Sequence, residues 1–372
     1  MTASLPLPIE IITQSAQLDA AILKMDGSAA VALDTESNSS HYYPEQLCLI
    51  QIATRTHSYV IDSIILKDVS ALAKVLADAS VMKVIHGADY DIRCLDRHAS
   101  LHIRNLYDTY IAARFAGLTE VGLAALLRDL LGVNIVKSKR LQTADWGRRP
   151  LSAEAIDYAA SDVFHLLSLQ EILDKKLKEL ERTTWAAEEF TRLEEVRFTP
   201  PDLERAFLSV KGAEDLDGRG LAVLRSLYFF RDEEARRQHR PPFFIMPDIA
   251  LVSLAASPTT DGMAPSLQRY RRGLQQALHD GLAAPPVQLP PPPPYEPSTQ
   301  EQIKRLSRLK LWRTALADNL KLDPSLIWPT PSLQRLAREP ESFDMEINAG
   351  NVRRYQREQF AASLKHFLTV KA

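Results

Sequence analysis

The stretch Ala30-Val31-Ala32-Leu33-Asp34-Thr35-Glu36 joins an apolar, β-prone run to two acids separated by one residue. Residues two apart on a strand point to the same side, so Asp34 and Glu36 are predicted to face one pocket while Thr35 faces the other way. Crowded carboxylates resist ionisation unless a cation compensates their charge. With oxygen ligands and no Cys or His cluster nearby, the pattern favours Mg²⁺ or Mn²⁺ over zinc. An ordinary turn is the alternative, so the prediction needs further acids.

Two more segments supply them. Residues 81–95 predict a buried strand, a Gly turn and an amphipathic helix. Asp89 can cap that helix and Asp91 lies in its first turn, so the residues alone do not decide which of the two acids is catalytic. Residues 155–167 predict a helix on which Tyr158 and Asp162, four apart, share one face. These acids and the phenol are predicted to converge on the pocket at the strand end.

Asp34-Thr35-Glu36, the segment from His86-Gly87-Ala88 to Asp91, and the segment from Tyr158 to Asp162 resemble the three exonuclease motifs of the DEDD superfamily, in the subgroup with Tyr in the third motif. Residues 106–109 and 141–151 add to a resemblance with ribonuclease D and the related catalytic subunit of the nuclear exosome. In that family the second acid directly precedes the apolar residue that opens the helix. The resemblance therefore assigns the role to Asp91 and not to Asp89.

The resemblance implies a ribonuclease H-like α/β domain and a metal-dependent 3′–5′ exoribonuclease. Such an enzyme would trim RNA with a free 3′ end, for example tRNA precursors, and release nucleoside 5′-monophosphates by two-metal hydrolysis. Asp34, Glu36, Asp91 and Asp162 would hold two divalent ions, Mg²⁺ or Mn²⁺. Tyr158 would position the attacking water and join these four acids as a catalytic residue.

One position departs from the family. Many ribonuclease D sequences have an aromatic residue directly after the first-motif acids, where it can stack on a terminal base, whereas Ser37 stands there in this chain. Stacking contributes about 1 to 3 kcal/mol per base. Unless Tyr42, Tyr43 or another aromatic takes its place, recognition of the RNA end is expected to differ from that of the family.

Candidate RNA contacts lie in both halves of the chain. Near the motifs they are Thr35, His86, Lys139, Arg140 and Gln142, and in the last helix they are Arg353, Arg354 and Arg357. Basic side chains of this kind bind phosphates without reading bases. A solvated helix face is the ordinary alternative for each group. The charge distribution favours the RNA interpretation, because residues 298–372 have a net charge of +5 and residues 1–185 one of −4, within a total of −2.

Composition sets the class of protein. The 372 residues are 45% hydrophobic and 25% charged, which suits two or three soluble domains. No apolar run approaches the roughly 18 residues of a membrane span, and the N-terminus lacks a basic signal-peptide start, so a cytoplasmic protein without membrane contact is expected. No obligate protein partner is evident. Cys48 and Cys94, both flanked by apolar residues, are predicted to be buried thiols.

Strand and helix signals alternate first and helices follow. Strands are predicted at 31–35, 48–54, 58–62 and 81–86, and helices at 68–77 and 170–197, the last leading away from the sheet. The predicted order is an exonuclease domain with a mixed sheet (1–185), a connecting helix or linker (186–210), a first all-α HRDC-like domain (211–284), a proline-rich extended linker (285–297) and a second HRDC-like domain (298–372). The two helical segments look like diverged copies of one unit.

Two other functions fit parts of the sequence. A 3′–5′ DNA exonuclease would use the same motifs, since these do not sense the 2′-hydroxyl. A catalytically silent RNA-binding scaffold would show erosion of a metal ligand or of Tyr158, and none of these residues is lost. The absence of polymerase and helicase motifs, together with the paired helical segments, favours RNA.

Overall fold

The strand that carries Asp34 and Glu36 lies inside a six-stranded mixed sheet. The computed structural model describes residues 7–135, 138–289 and 297–369. The strands are β1 (Ile9–Ile12), β2 (Ala30–Ser37), β3 (Leu47–Ala53), β4 (Ser58–Asp62), β5 (Met82–Ile85) and β6 (Leu106–Asp108). Their order across the sheet is β1-β4-β3-β2-β5-β6. β2 pairs antiparallel with β3 and parallel with β5, so the sheet is mixed as predicted.

Helices cover both faces of this sheet. They are α1 (Ser15–Met25), α2 (Ser63–Leu66), α3 (Ala73–Leu76), α4 (Asp89–Ala99), α5 (Thr109–Phe115), α6 (Leu123–Leu126), α7 (Lys139–Gln142), α8 (Ala153–Phe164), α9 (Leu166–Glu179) and α10 (Thr183–Glu194). Apolar residues of α1 and α4 pack with Val31 and Leu33 of β2 on one face. Ala32 joins α5 and α9 on the other face, where α8 also packs on β3 and β4. Alternate residues of β2 therefore face different helices.

The predicted strands are confirmed, and both cysteines are buried free thiols. β1, α1 and β6 are not among the predicted elements. The continuous helix predicted at 68–77 is wrong: the structure has a short 3₁₀ turn (Ser70–Leu72) followed by the short helix α3. The single helix predicted at 170–197 is also wrong: it is divided into α9 and α10, because Glu181 adopts a positive φ of 57° and turns the chain back. The ring centres of Phe190 on α10 and Tyr107 on β6 lie 4.9 Å apart, so α10 packs on the sheet domain and does not lead away from it.

Two all-α units follow. The first helical unit (206–287) contains 3₁₀ turns at Ala206–Ser209, Ala213–Asp215 and Pro265–Tyr270 and the helices α11 (Gly218–Gln238), α12 (Pro242–Ile245), α13 (Asp248–Ala256) and α14 (Arg271–Ala283). The second helical unit (299–369) contains α15 (Gln300–Leu320), α16 (Pro324–Ile327), α17 (Thr330–Arg338), α18 (Phe343–Glu346) and α19 (Arg354–Thr369). Of the predicted proline-rich linker, residues 290–296 lie outside the described residues.

The two units repeat one design. Gly218 and Gln300, Pro242 and Pro324, and Asp248 and Thr330 each begin equivalent helices of equal length, 82 residues apart in every case. A contact made by an arginine repeats at the same spacing. Arg231 donates to the Met246 carbonyl and the Asp248 side chain, and Arg313 donates to the Trp328 carbonyl and the Thr330 side chain. The shared offset of helices and contacts supports the interpretation of the two segments as copies of one unit.

The second helical unit shares its core with the catalytic part. Leu309, Trp312 and Phe360 belong to the same apolar cluster as Phe115 of α5 and Leu173 of α9. Arg182, between α9 and α10, is buried and donates to the carbonyl oxygens of Phe115 and Leu320, which joins the two parts through their backbones. Among the described residues, no helix is both long enough and apolar enough to span a bilayer.

Candidate active site and metal centre

Three carboxylates converge where β2 meets α8. Asp34 and Glu36 lie two residues apart on β2, on the face that α8 covers, and Asp162 lies near the end of α8. One ligand oxygen from each of the three lies within 4.8 Å of the other two. Beyond Glu36 the pairing of β2 with β3 shifts register, so the regular ladder ends at the site. This arrangement suits a metal ion with oxygen ligands.

The crowding has an electrostatic cost. Burial, with repulsion from Asp91, Asp162 and Glu36, raises the pKa of Asp34 well above its ordinary range. Burial and repulsion from Asp162 and Asp91 raise the pKa of Glu36 to about 8. The neutral, protonated forms are thus favoured without a compensating charge. A divalent cation would reverse this preference, which makes the cluster a candidate metal centre rather than a group of solvated acids.

Asp91 reaches the site from the other face of the sheet. It lies in the first turn of α4, is only 5% exposed, and accepts a 2.6 Å hydrogen bond from the Thr35 hydroxyl. Burial raises the pKa of Asp91 to about 7 even though that hydrogen bond opposes the change. Asp89 caps nothing and points to solvent, where its side chain is 57% exposed and pairs with Arg93 at 2.9 Å. The structure therefore places Asp91, and not Asp89, beside the other carboxylates.

The turn before α4 is held by a residue that sequence reasoning missed. The Asp108 carboxylate accepts hydrogen bonds from the backbone N–H groups of Gly87 (3.1 Å) and Ala88 (2.8 Å), and it also caps α5. His86, at the start of this turn, contacts the Thr109 hydroxyl at 2.9 Å. Asp108 thus fixes the start of α4 against α5. The position of Asp108 directly before α5 is a sequence signal that could have predicted its capping role.

Tyr158 lies beside the carboxylates on α8. Burial and the charges of Asp162 and Glu36 raise the pKa of its phenol, while a side-chain hydrogen bond with Gln142 opposes the shift. Its ring lies 6.1 Å from that of the buried Trp146. The hydroxyl therefore stays protonated at neutral pH and can donate to a water or an oxyanion. Gln142, a predicted RNA contact, is placed next to this phenol.

A different aromatic residue meets Ser37. Tyr90, directly before Asp91, contacts the Ser37 hydroxyl and donates to the Glu45 carboxylate, and its side chain is 48% exposed. Tyr42 and Tyr43 instead contact the first helical unit. Tyr90 thus brings an exposed aromatic residue beside the position where the family has its aromatic. The sequence signal was weak, because Tyr90 and Ser37 are 53 residues apart.

The remaining predicted RNA contacts lie in two places. Lys139 and Arg140 are on the short helix α7, exposed, and Arg140 pairs with Glu154. Arg353 pairs with Glu189 of α10, Arg354 lies 3.6 Å from Glu358, and Arg357 donates to Asn348. Thr35 uses its hydroxyl to hold Asp91. Arg353 also lines a cavity of about 810 Å³ between the catalytic part and the second helical unit, together with Arg114 and Arg192.

Comparison with protein families supports this interpretation. A family model described as 3′–5′ exonuclease matches residues 9–178, which contain β1 to β6 and all four acids. A model described as HRDC domain matches residues 220–263, in the first helical unit. The fold and the carboxylate site define a 3′–5′ exonuclease that depends on divalent metal ions.

A ribonuclease D of Desulfotalea psychrophila is 30% identical over 325 residues, which cover 84% of this chain and 86% of that protein. The chain belongs to the ribonuclease D family and is a 3′–5′ exoribonuclease. The crystal structure of the catalytic core of RRP6 from Trypanosoma brucei is similar at 26% identity and a TM-score of 0.65, covering 76% of this chain and 82% of that one. Escherichia coli RNase D, at 23% identity, shares the fold with a TM-score of 0.74 over 97% of this chain and 99% of that one.

Proposed function

We propose that Asp34, Glu36, Asp91 and Asp162 hold two divalent ions, Mg²⁺ or Mn²⁺. The observation that carries the proposal is the convergence of Asp34, Glu36 and Asp162 within 4.8 Å. Asp91 approaches from α4, on the other side of β2, and its charge raises the pKa of both β2 acids. Ligands arriving from two directions would suit a site for two ions. A ligand set made only of carboxylates favours hard cations.

When bound, such ions lower the pKa of a water and stabilise the charge that develops on the leaving 3′ oxygen. The residues of the chain supply position and hydrogen bonds. Tyr158 keeps its proton because nearby acids and burial raise its pKa, so its hydroxyl can orient the attacking water. The Gln142 side chain lies beside this phenol and opposes the rise of its pKa. Thr35 holds the Asp91 carboxylate in place.

The proposed substrate is RNA with a free 3′ end, trimmed to nucleoside 5′-monophosphates. Structured RNA such as a tRNA precursor is the favoured class, in line with the structured RNA processing in which the Escherichia coli enzyme is involved. Support for an RNA surface comes from the cavity beside α10, which is lined by Arg114, Arg192, Arg353 and Glu189. Arg114 pairs with Asp323 at 3.7 Å, so cations exceed acids by one. Such a surplus of cations favours phosphate binding without base specificity.

The proposed domains are an exonuclease domain (1–185), a connecting segment (186–210), and two HRDC-like domains (211–284 and 298–372) separated by a linker (285–297). The 82-residue repeat of helices supports two equivalent units. The first boundary falls inside α10, which packs in the catalytic core. We therefore place the functional end of the exonuclease domain after α10, close to residue 197.

One assay tests the central proposal. RNA and DNA of one sequence, 5′-labelled and with a free or blocked 3′ end, are incubated with Mg²⁺, with Mn²⁺ or with a chelator. A ladder that shortens only from free RNA 3′ ends and only with metal is expected, and Asp162→Asn should abolish it. Equal cleavage of DNA would instead indicate a DNA exonuclease. No cleavage of any substrate would leave an RNA-binding scaffold.

A further inference from the structure

The loop that follows the first motif, residues 38–46 (the β2–β3 loop), has a fixed base. Asn38 is only 1% exposed, and its side chain accepts a 2.8 Å hydrogen bond from the Gln46 N–H and donates at 3.1 Å to the Gln46 side chain. Gly147 packs directly on it, because a Cβ at that position would lie 2.7 Å from the Asn38 amide nitrogen. The loop therefore starts from a rigid point two residues after Glu36.

The same loop contacts the helix of the second motif and the segment that follows α7. Glu45 accepts hydrogen bonds from Tyr90 and, at 3.1 Å, from Arg97, both on α4, the helix of Asp91. His41 Nε2 lies 2.8 Å from the carbonyl oxygen of Thr143. Thr143 directly follows Gln142, the partner of the Tyr158 phenol. The loop thus follows the first motif directly, contacts the helix of the second, and contacts the residue next to Gln142, which lies beside Tyr158 of the third.

The tip of the loop docks on the first helical unit. The Tyr43 hydroxyl donates to the Asp232 carboxylate, and the Arg236 guanidinium lies 5.2 Å from the centre of the Tyr43 ring. Arg236 also pairs with Asp232 at 2.7 Å, so the three side chains form one network. Tyr42 stacks on His239 with ring centres 5.1 Å apart and planes 7° apart. Burial and the bond to Asp232 raise the pKa of Tyr43 to about 12.

His239 has a counterpart in the second helical unit. It ends α11 with a positive φ of 50°, and Lys321, 82 residues later, ends α15 with a φ of 53°. The carbonyl oxygen of Lys321 approaches Gly117 of the catalytic part. The same corner of both units therefore meets the catalytic part. In the first unit, however, this corner contacts the loop next to the carboxylates.

We infer that the first helical unit acts on catalysis by holding the β2–β3 loop, which makes Tyr43, Asp232 and Arg236 positioning residues for the hydrolytic step. Without docking, His41 and Glu45 would still be held, but the tip at Tyr42 and Tyr43 would lose order, and ordering it on each turnover has an entropic cost. Docking removes that cost before RNA binds. The inference rests on the proposed function but concerns how the site is held and not which bond is cleaved.

The test uses the full chain with a short unstructured RNA in Mg²⁺. Tyr43→Phe removes one hydroxyl, and Arg236→Gln removes the cation above the ring. Each should lower kcat roughly threefold to tenfold, the effect of one lost hydrogen bond or cation–π contact, while KM changes less than about twofold. Hydrogen exchange in residues 38–46 should become faster. Arg237→Gln is the matched control, because Arg237 is the next residue of α11, its side chain is 66% exposed, and among the described residues it pairs with Glu234 of the same helix.

Three results would overturn the inference. The first is wild-type kcat and unchanged exchange of the loop in Tyr43→Phe and Arg236→Gln. The second is an equal loss of kcat in Arg237→Gln, which would indicate a general effect of charge on the helix. The third is a rise in KM with unchanged kcat, which would make Arg236 an RNA contact. Failure of the proposed function itself is distinguishable, since the wild-type protein would then not shorten RNA at all.

Discussion

The hydroxyl of Thr35 donates a 2.6 Å hydrogen bond to the carboxylate of Asp91, across 56 residues of sequence. Thr35 stands between two acids of the first motif, and its side chain points to the opposite face of β2, where α4 presents the acid of the second motif. The middle residue of the first motif thus positions the second. This bond also favours the ionised form of Asp91, because it lowers a pKa that burial raises.

We expect Thr35→Val, which keeps the shape and removes the hydroxyl, to raise the pKa of Asp91 further above 7 and weaken metal binding. Hydrogen bonds to charged groups contribute about 1.5 to 3 kcal/mol, so the Mg²⁺ concentration for half-maximal activity should rise roughly tenfold or more. Thr35→Ser keeps the donor and should stay close to the wild-type value. Activity measured against Mg²⁺ concentration gives this value for the Val and the Ser variant. An equal effect of Val and Ser would contradict a role for the hydroxyl.

The effect of Mg²⁺ on stability should depend on pH. Without metal, Glu36 has a folded-state pKa of about 8 against an ordinary 4.5, and Asp91 one of about 7 against 3.8. The folded state therefore holds these protons more tightly than the unfolded chain, and stability is lost as pH rises from about 4 to about 8. Bound metal requires the ionised forms and offsets that loss. The rise in Tm on adding Mg²⁺ should thus be larger at about pH 8 than at about pH 6. Glu36→Gln should reduce this difference between the two pH values. A rise in Tm that is independent of pH would contradict this account.

Local periodicity accounts for much of the site. The two-residue period of a strand places Asp34 and Glu36 on one face, and the four-residue spacing on a helix places Tyr158 beside Asp162. Both relations lie within one element, so the pattern contains them. The resemblance to a known family then supplied the choice between Asp89 and Asp91, which the helix start alone left open.

Contacts between distant segments could not be predicted in this way. The bond from Thr35 to Asp91, the contact of Tyr90 with Ser37, and the docking of Tyr43 on Asp232 all depend on how elements pack. The break at Glu181 was hidden for a related reason. Its left-handed conformation is set by the turn of α10 back onto the core, whereas the local sequence favours a continuous helix.

Tyr158→Phe should slow chemistry and leave RNA binding nearly unchanged. The phenol keeps its proton, so its contribution is a hydrogen bond that orients water, and its loss should lower kcat roughly 10- to 100-fold with KM within about twofold. Tyr107→Phe is a suitable control, because the Tyr107 hydroxyl is buried and has no hydrogen-bond partner in the described structure. Single-turnover rates separate chemistry from release. A raised KM with unchanged kcat would assign Tyr158 to substrate binding.

Tyr90 is expected to take the role of the aromatic residue that the family has at the position of Ser37. Tyr90 is exposed and contacts Ser37, where a terminal base can stack on its ring at about 1 to 3 kcal/mol. Tyr90→Leu should therefore raise KM roughly fivefold or more, while Tyr90→Phe, which keeps the ring, should not. In the Leu variant, adding Ser37→Phe should recover part of the lost affinity. Equal KM values for the Leu and Phe variants would show that the ring does not contact RNA.

Gly117 joins the catalytic part to the second helical unit, and its substitution should loosen that junction. Its φ is 77°, and a Cβ there would lie 2.6 Å from the Lys321 carbonyl oxygen, so an alanine meets both backbone strain and a clash with backbone. Gly27 has a φ of 78° with nothing within 4 Å, so Gly27→Ala isolates the strain, about 1 to 2 kcal/mol. Gly117→Ala should lower Tm more than Gly27→Ala does. Gly117→Ala, and not Gly27→Ala, should speed hydrogen exchange at residues 317–322, because only the substitution at Gly117 forces two packed backbones apart. Equal effects of the two alanines would mean that the Lys321 backbone shifts without cost and that its contact with Gly117 does not hold the two parts together.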